Sequence, residues 1–152
     1  MADLALIGRC GLYCGACGIY RAYRDGGELL DKVAKSFDCS PQLVRCEGCQ
    51  ELTEDCWGSE CKVLRCLRKK RYEFCHECDK LGECEIFSDL SQGYKEIGVN
   101  LILNLERIKS GQAVMWLEEE DKRWRCGSCG KPISYHMEEC HRCGAILVGI
   151  TD

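Results

Sequence analysis

The chain has 152 residues, 16 of them cysteine, with 45% hydrophobic residues and 2 prolines. Cysteine above the ~8–10% level marks a globular protein stapled by metal or disulfides. A formal net charge of −4 argues against a general nucleic-acid binder, and no segment offers the ~20 apolar residues of a membrane span.

The opening Met1-Ala-Asp-Leu-Ala-Leu-Ile-Gly-Arg9 lacks the basic start and long apolar stretch of a secretory signal. The reading is therefore a cytoplasmic protein, where paired cysteines serve as metal ligands more often than as disulfides. An even count of 16 would also fit a disulfide framework in another compartment.

In chain order, Cys10-Gly-Leu-Tyr-Cys14-Gly-Ala-Cys17 comes first. Leu29, Leu30, Val33, Ala34 and Phe37 then recur at helical spacing, a helix ended by Cys39 and Pro41. Cys46-Glu-Gly-Cys49 forms a second thiol pair, followed by Cys56, Cys61 and Cys66. Val63, Leu64 and Leu67 predict a short helix over 59–70 with Ser59 as its cap. Cys75-His-Glu-Cys78 and Cys84 close the block.

Tyr94, Ile97, Leu101, Leu105 and Ile108 predict one helix with a single buried face, broken by Gly111. A second helix over 112–122 is expected to bury Val114, Met115 and Leu117, and the acidic run 118–121 reads as its solvated face. Strand signals are confined to Ile133–Tyr135 and Ala145–Val148. The fold expected is small and mainly α with irregular cysteine-rich loops and a C-terminal β zinc ribbon. Its parts are a cysteine-rich domain over 1–90, a helical connector packed on it over 91–122, and the ribbon over 123–152.

The ribbon has the most specific motif. Cys126 and Cys129 in Cys-Gly-Ser-Cys-Gly and Cys140 and Cys143 in Cys-His-Arg-Cys-Gly are two C-x-x-C turns at ribbon spacing. Each turn puts two thiolates on one ion, the following glycine suits a left-handed residue, and four thiolates complete a closed tetrahedral shell. His136 could replace one thiolate. His76 and His141 lie inside C-x-x-C turns, where side chains usually point away from the metal. A closed shell leaves no position for chemistry, so the metal is read as structural.

Four thiolates on one zinc carry a net −2, so a single filled site makes the chain more acidic still. Arg9, Arg45, Lys62, Arg65, Arg125, Lys131 and Arg142 flank cysteines and offset that charge. The basic run Lys62, Arg65, Arg68, Lys69, Lys70 and Arg71 could contact nucleic acid, but the acidic whole favours charge balance and a protein partner.

Other chemistries lack their scaffolds. Cys10-x3-Cys14-x2-Cys17 has the spacing of radical S-adenosylmethionine enzymes, but the chain has neither the length nor the alternating strands and helices of their barrel. The thioredoxin-like context of a redox C-x-x-C is missing, and Gly26-Gly27 is too little for a nucleotide loop. No catalytic group stands out. An iron–sulfur reading stays open, because thiolates suit iron and zinc alike and Cys10, Cys14, Cys17 or Cys75, Cys78, Cys84 could each hold a [4Fe–4S] cluster with a distal fourth ligand.

The order Cys10, Cys14, Cys17, Cys46, Cys49, Cys61, Cys66, Cys75, Cys78, Cys84 resembles a prokaryotic cysteine-rich family, domain of unknown function 3795, over about residues 8–88. The resemblance implies metal binding, with zinc the expected ion, and no particular reaction. Cys39 and Cys56 fall outside its pattern. The expectation is two to four structural zinc ions in an interaction or scaffold module, with a [4Fe–4S] protein as the alternative. The grouping of the N-terminal cysteines into sites is not legible from their order.

Overall fold

The computed structural model describes residues 3–51 and 53–147. Six α-helices carry the chain: α1 Gly18–Asp25, α2 Gly27–Ser36, α3 Lys62–Lys70, α4 Glu85–Lys95, α5 Leu101–Lys109 and α6 Ala113–Arg123. Short 3₁₀ turns join them, several built on cysteines, as at Cys14–Ala16, Cys49–Glu51 and Cys75–Glu77. Among the described residues no helix is long and apolar enough to cross a membrane.

One core draws on the whole length. Ile7, Leu67, Phe87, Leu101, Leu105, Trp116, Trp124, Ile133 and Tyr135 are buried together. Its aromatic centre is edge-on: Trp124 meets Tyr135 at 4.6 Å between ring centroids, and Tyr94 meets Tyr135 at 5.5 Å. Such pairs add about 0.5–1.5 kcal/mol each beyond burial. A smaller cluster, Ile19, Ala22, Ala34 and Val44, is made mainly by α1 packing on α2, with Cys17, Cys39 and Cys46 at its margin.

The helix expected through Leu29, Leu30, Val33, Ala34 and Phe37 is α2, which spans Gly27–Ser36 with Phe37 as its C-cap. α1 before it was not anticipated, since eight residues between Cys17 and Gly26 give too short a pattern to register. The helix expected to start at Ser59 begins at Lys62, because a 3₁₀ turn occupies Trp57–Glu60 and Cys61 takes the N-cap position. The single helix expected from Tyr94 to Ile108 is two. Gly98, at φ 80°, turns the chain in a conformation that disfavours side chains, and the Asn100 side chain caps α5 by accepting from Leu103 N–H at 3.0 Å.

The second connector helix is present as α6, but its inward face differs from the expectation. Val114 and Met115 are exposed, whereas Trp116 and Leu117 are buried. The inward stripe is Trp116, Glu120 and Trp124, spaced by four. The acidic run is only partly solvated: Glu118 and Glu119 are exposed, but the buried Glu120 accepts from Trp124 Nε1 at 3.0 Å. Burial is the leading effect on its carboxyl, which it pushes above the ordinary range, against the indole hydrogen bond and Arg123.

The β ribbon is corrected. Among the described residues there are no strands, only three isolated antiparallel bridges: Arg125↔Pro132 and Glu139↔Ile146 near the two thiol turns, and Ile7↔Tyr13 in the first cysteine loop. The segment expected to pair as a strand spends its N–H groups elsewhere: Ile133 donates to Trp124 O at 3.0 Å and Tyr135 to Ala16 O at 2.7 Å. The first bond is a single antiparallel contact beside the Arg125↔Pro132 bridge and the second leaves for the first cysteine turn, so no ladder long enough for a strand forms. Val148 lies outside the described residues.

Candidate metal centres

The C-terminal cysteines stand on two turns of the same local design. Gly130 N–H donates to Cys126 O and Gly144 N–H to Cys140 O, each at 2.8 Å. Gly130 and Gly144 take φ of 73° and 75°, the left-handed region where glycine has no Cβ penalty. Ser128 N–H points to Cys126 Sγ and Arg142 N–H to Cys140 Sγ, each at 3.4 Å. Two copies of one turn thus aim four sulfurs inward.

The sulfurs of Cys126, Cys129, Cys140 and Cys143 all lie within 4.8 Å of one another. Cys126 and Cys143 approach to 3.7 Å, as do Cys129 and Cys140. A tetrahedral ion with ~2.3 Å bonds to sulfur sets its ligands ~3.8 Å apart, so the spacing fits zinc. All four cysteines are free thiols. Backbone N–H groups of Cys129 and Ser128 pull the Cys126 thiol down to about 6, while Cys143, in sulfur contact with it, is pushed up to about 11, so Cys126 is the first of the two to give up its proton. His136 is exposed and has no part in the quartet.

The rest of the molecule holds this unit firmly. His141, from the second turn, meets Asp25 Oδ2 at the end of α1 at 2.7 Å, and Arg21 and Arg142 flank the same carboxylate. Tyr135 reaches back to the first cysteine loop, its hydroxyl donating to Tyr13 O at 3.1 Å. Neither Asp25 nor Tyr135 figures in any cysteine motif. A tyrosine between the two C-x-x-C pairs was the one available signal, since a buried hydroxyl needs a partner.

Among the described residues no other group of three or more Cys, His, Asp or Glu closes to within the same 4.8 Å. The N-terminal cysteines nevertheless gather into neighbourhoods. Cys66 on α3, Cys75 and Cys78 on the 3₁₀ turn, and Cys84 at the α4 N-cap line one cavity. Burial, then the thiols of Cys84, Cys66 and Cys78, push the Cys75 thiol up to about 12. Lys70 Nζ donates to Cys78 Sγ at 3.5 Å. That lysine lies one helical turn beyond Cys66, an i,i+4 relation legible in the sequence.

Cys10, Cys14, Cys49 and Cys61 form a second neighbourhood. Cys10 is raised by burial first and also by Cys49, Cys75 and Cys61; Cys14 is raised by burial first and also by Cys49, Cys17 and Cys10, so this neighbourhood borders the first at Cys75. The loop that presents Cys10 is seated on α5. Asn104 Nδ2 donates to Gly11 O at 2.9 Å, and a Cβ on Gly11, at φ 90°, would meet Leu101 O at 2.6 Å. Arg9 N–H points to Cys49 Sγ at 3.4 Å. Cys46, pushed up to about 11 by burial first, has Cys17 and Cys56 among its neighbouring thiols, and Cys39 packs at the margin of the same small core. Burial raises the Cys10, Cys14, Cys46 and Cys49 thiols and favours their protonated form, and metal binding would displace those protons.

The chain is thus a mainly helical, cysteine-rich protein with a four-cysteine cluster of metal-binding geometry. Within that class, the family model described as protein of unknown function (DUF3795) matches residues 6–89, more than half of the sequence, and the chain belongs to that family. No curated protein and no solved structure matches it.

Proposed function

We propose that the protein is a multi-site metal-binding module in which Cys126, Cys129, Cys140 and Cys143 hold one structural zinc and the N-terminal cysteines hold further metal. The observation that carries this reading is the pair of 3.7 Å sulfur contacts inside a quartet whose members all lie within 4.8 Å. Four thiolates saturate the ion, so its role is to fix the ribbon against α1 and the first cysteine loop.

The module works in a reducing compartment as a scaffold for a partner protein. Exposed Phe37 and Trp57, with ring centroids 4.9 Å apart, support a protein contact. The basic run gives less support to nucleic acid, because Arg65 is engaged by Glu60 and Lys70 by Cys78. The test is elemental analysis of the full chain and of a Cys129→Ser, Cys143→Ser variant. One zinc per chain should be lost with the two thiols. An unchanged zinc content in the variant would overturn the assignment.

A further inference from the structure

Two cysteine quartets differ in how far their sulfurs converge. The C-terminal four close on a point, while Cys66, Cys75, Cys78 and Cys84 stand around a cavity of about 30 Å³. That exceeds the ~10–15 Å³ needed by one ordered water. It is also a poor place for water, because the remaining wall is largely Val63, Leu67, Leu81 and Phe87. A bare divalent ion draws four thiolates to ~3.8 Å from one another. A cubane cluster interposes four irons and four sulfides, so its thiolates stand well apart.

We propose that Cys66, Cys75, Cys78 and Cys84 ligate a [4Fe–4S] cluster in this apolar cavity, separate from the C-terminal zinc. The proposal rests on the multi-site reading above for its premise that the N-terminal thiols bind metal, and it does not depend on the ribbon ion. On binding, four S–H bonds are replaced by four Fe–S bonds and the protons leave to solvent.

The surroundings match what a cluster needs. Cys84 occupies the N-cap of α4, where Phe87 N–H points to its sulfur at 3.5 Å and the helix end favours negative charge. Lys70 supplies a cation beside Cys78, with Cys66 and Cys84 also within its electrostatic reach. Hydrogen bonds to the sulfurs and a low-dielectric wall are the means by which proteins hold and tune such clusters. Three elements contribute ligands, so the cluster would also tie α3 to α4 through the intervening turn.

The full chain is purified without oxygen, reconstituted with equal amounts of ferrous and ferric iron and with sulfide, and analysed for iron, sulfide and zinc. Cys78→Ser with Cys84→Ser should remove about four irons and four sulfides per chain and leave the ribbon zinc in place. Cys129→Ser with Cys143→Ser should lose zinc and keep the broad absorption near ~400 nm. A colourless reconstituted wild type, or loss of zinc in place of iron from the Cys78 and Cys84 variant, would overturn the proposal. Retention of zinc by the Cys129 and Cys143 variant would sink the ribbon assignment alone. Should the Cys78 and Cys84 variant fail to fold, Lys70→Met decides, since Lys70 is exposed. Removing its charge should move the cluster's midpoint potential to a more negative value and alter the resonance spectrum of the reduced protein. An unchanged potential and spectrum would place any cluster elsewhere and end the proposal.

Discussion

The quartet at the C-terminal turns and the quartet around the α3–α4 cavity have the same ligands but are built at different levels of the structure. In the first, each pair of thiols is aimed by a five-residue turn with its own glycine and its own N–H···S contact. In the second, one thiol comes from inside a helix, two from a 3₁₀ turn and one from a helix cap. Convergence on a point needs only local backbone geometry, whereas a stand-off around a cavity is set by how helices pack. The first should therefore fail when its turns are damaged, and the second when its core wall is.

The largest effect that separates them is metal loss. Structural zinc in peptides is worth apparent values of about 10–16 kcal/mol per site at neutral pH. Cys126→Ser with Cys140→Ser should abolish the near-ultraviolet dichroism of Trp124 and Tyr135 and lower the melting temperature sharply. Metal at the α3–α4 quartet should persist in any chains that stay folded. Concurrent loss from both sites would show that they are one cooperative unit.

Next are substitutions in the two walls. Leu67 and Trp124 are each 3% exposed, and truncation to alanine should cost about 2–5 and 3–5 kcal/mol. Urea unfolding measures both costs. Leu67→Ala should admit solvent to the cavity and speed loss of its metal in air, leaving zinc exchange unchanged, and Trp124→Ala should do the reverse. Equal effects on both sites would show that the two quartets depend on one shared core.

Asp25→Ala is expected to be smaller, about 1–3 kcal/mol, because it leaves His141 without its carboxylate partner. Its signature is faster zinc release to a chelator at the ribbon alone. Smallest is Glu120→Gln, which keeps an acceptor for the Trp124 indole. The Glu120 carboxyl is held above its ordinary range by burial, so its ionised form is a cost present above the folded value and relieved as pH falls toward the unfolded one. The variant should match or slightly exceed wild-type stability near neutral pH, by under about 1 kcal/mol, and should lose that gain as pH falls. Parallel stability–pH profiles for the two proteins would contradict this.

What could be read beforehand follows the same division. Cys126, Cys129, Cys140 and Cys143 were legible as one set because their spacing is local and the following glycines specify the turn. α2 and the body of α3 were legible because their apolar residues recur within one helix. The grouping of Cys66 with Cys75, Cys78 and Cys84 was not, since it exists only once α3 has packed against α4. The inward face of α6 was misread because Val114 and Met115 are apolar, yet the i,i+4 stripe through Trp116, Glu120 and Trp124 passes them by. The expected strand at Ile133–Tyr135 has a suitable composition, but its hydrogen bonds go to Trp124 and Ala16.

The grip of Tyr135 on Ala16 and Tyr13 carries a consequence for biosynthesis. On the ribosome the loop bearing Cys14 emerges long before the tyrosine that fastens it has been made. Throughout that interval the early thiols stay open to solvent, and they are closed in only when the segment bearing Tyr135 arrives. Exposure first and latching afterwards is thus written into the order of the polypeptide.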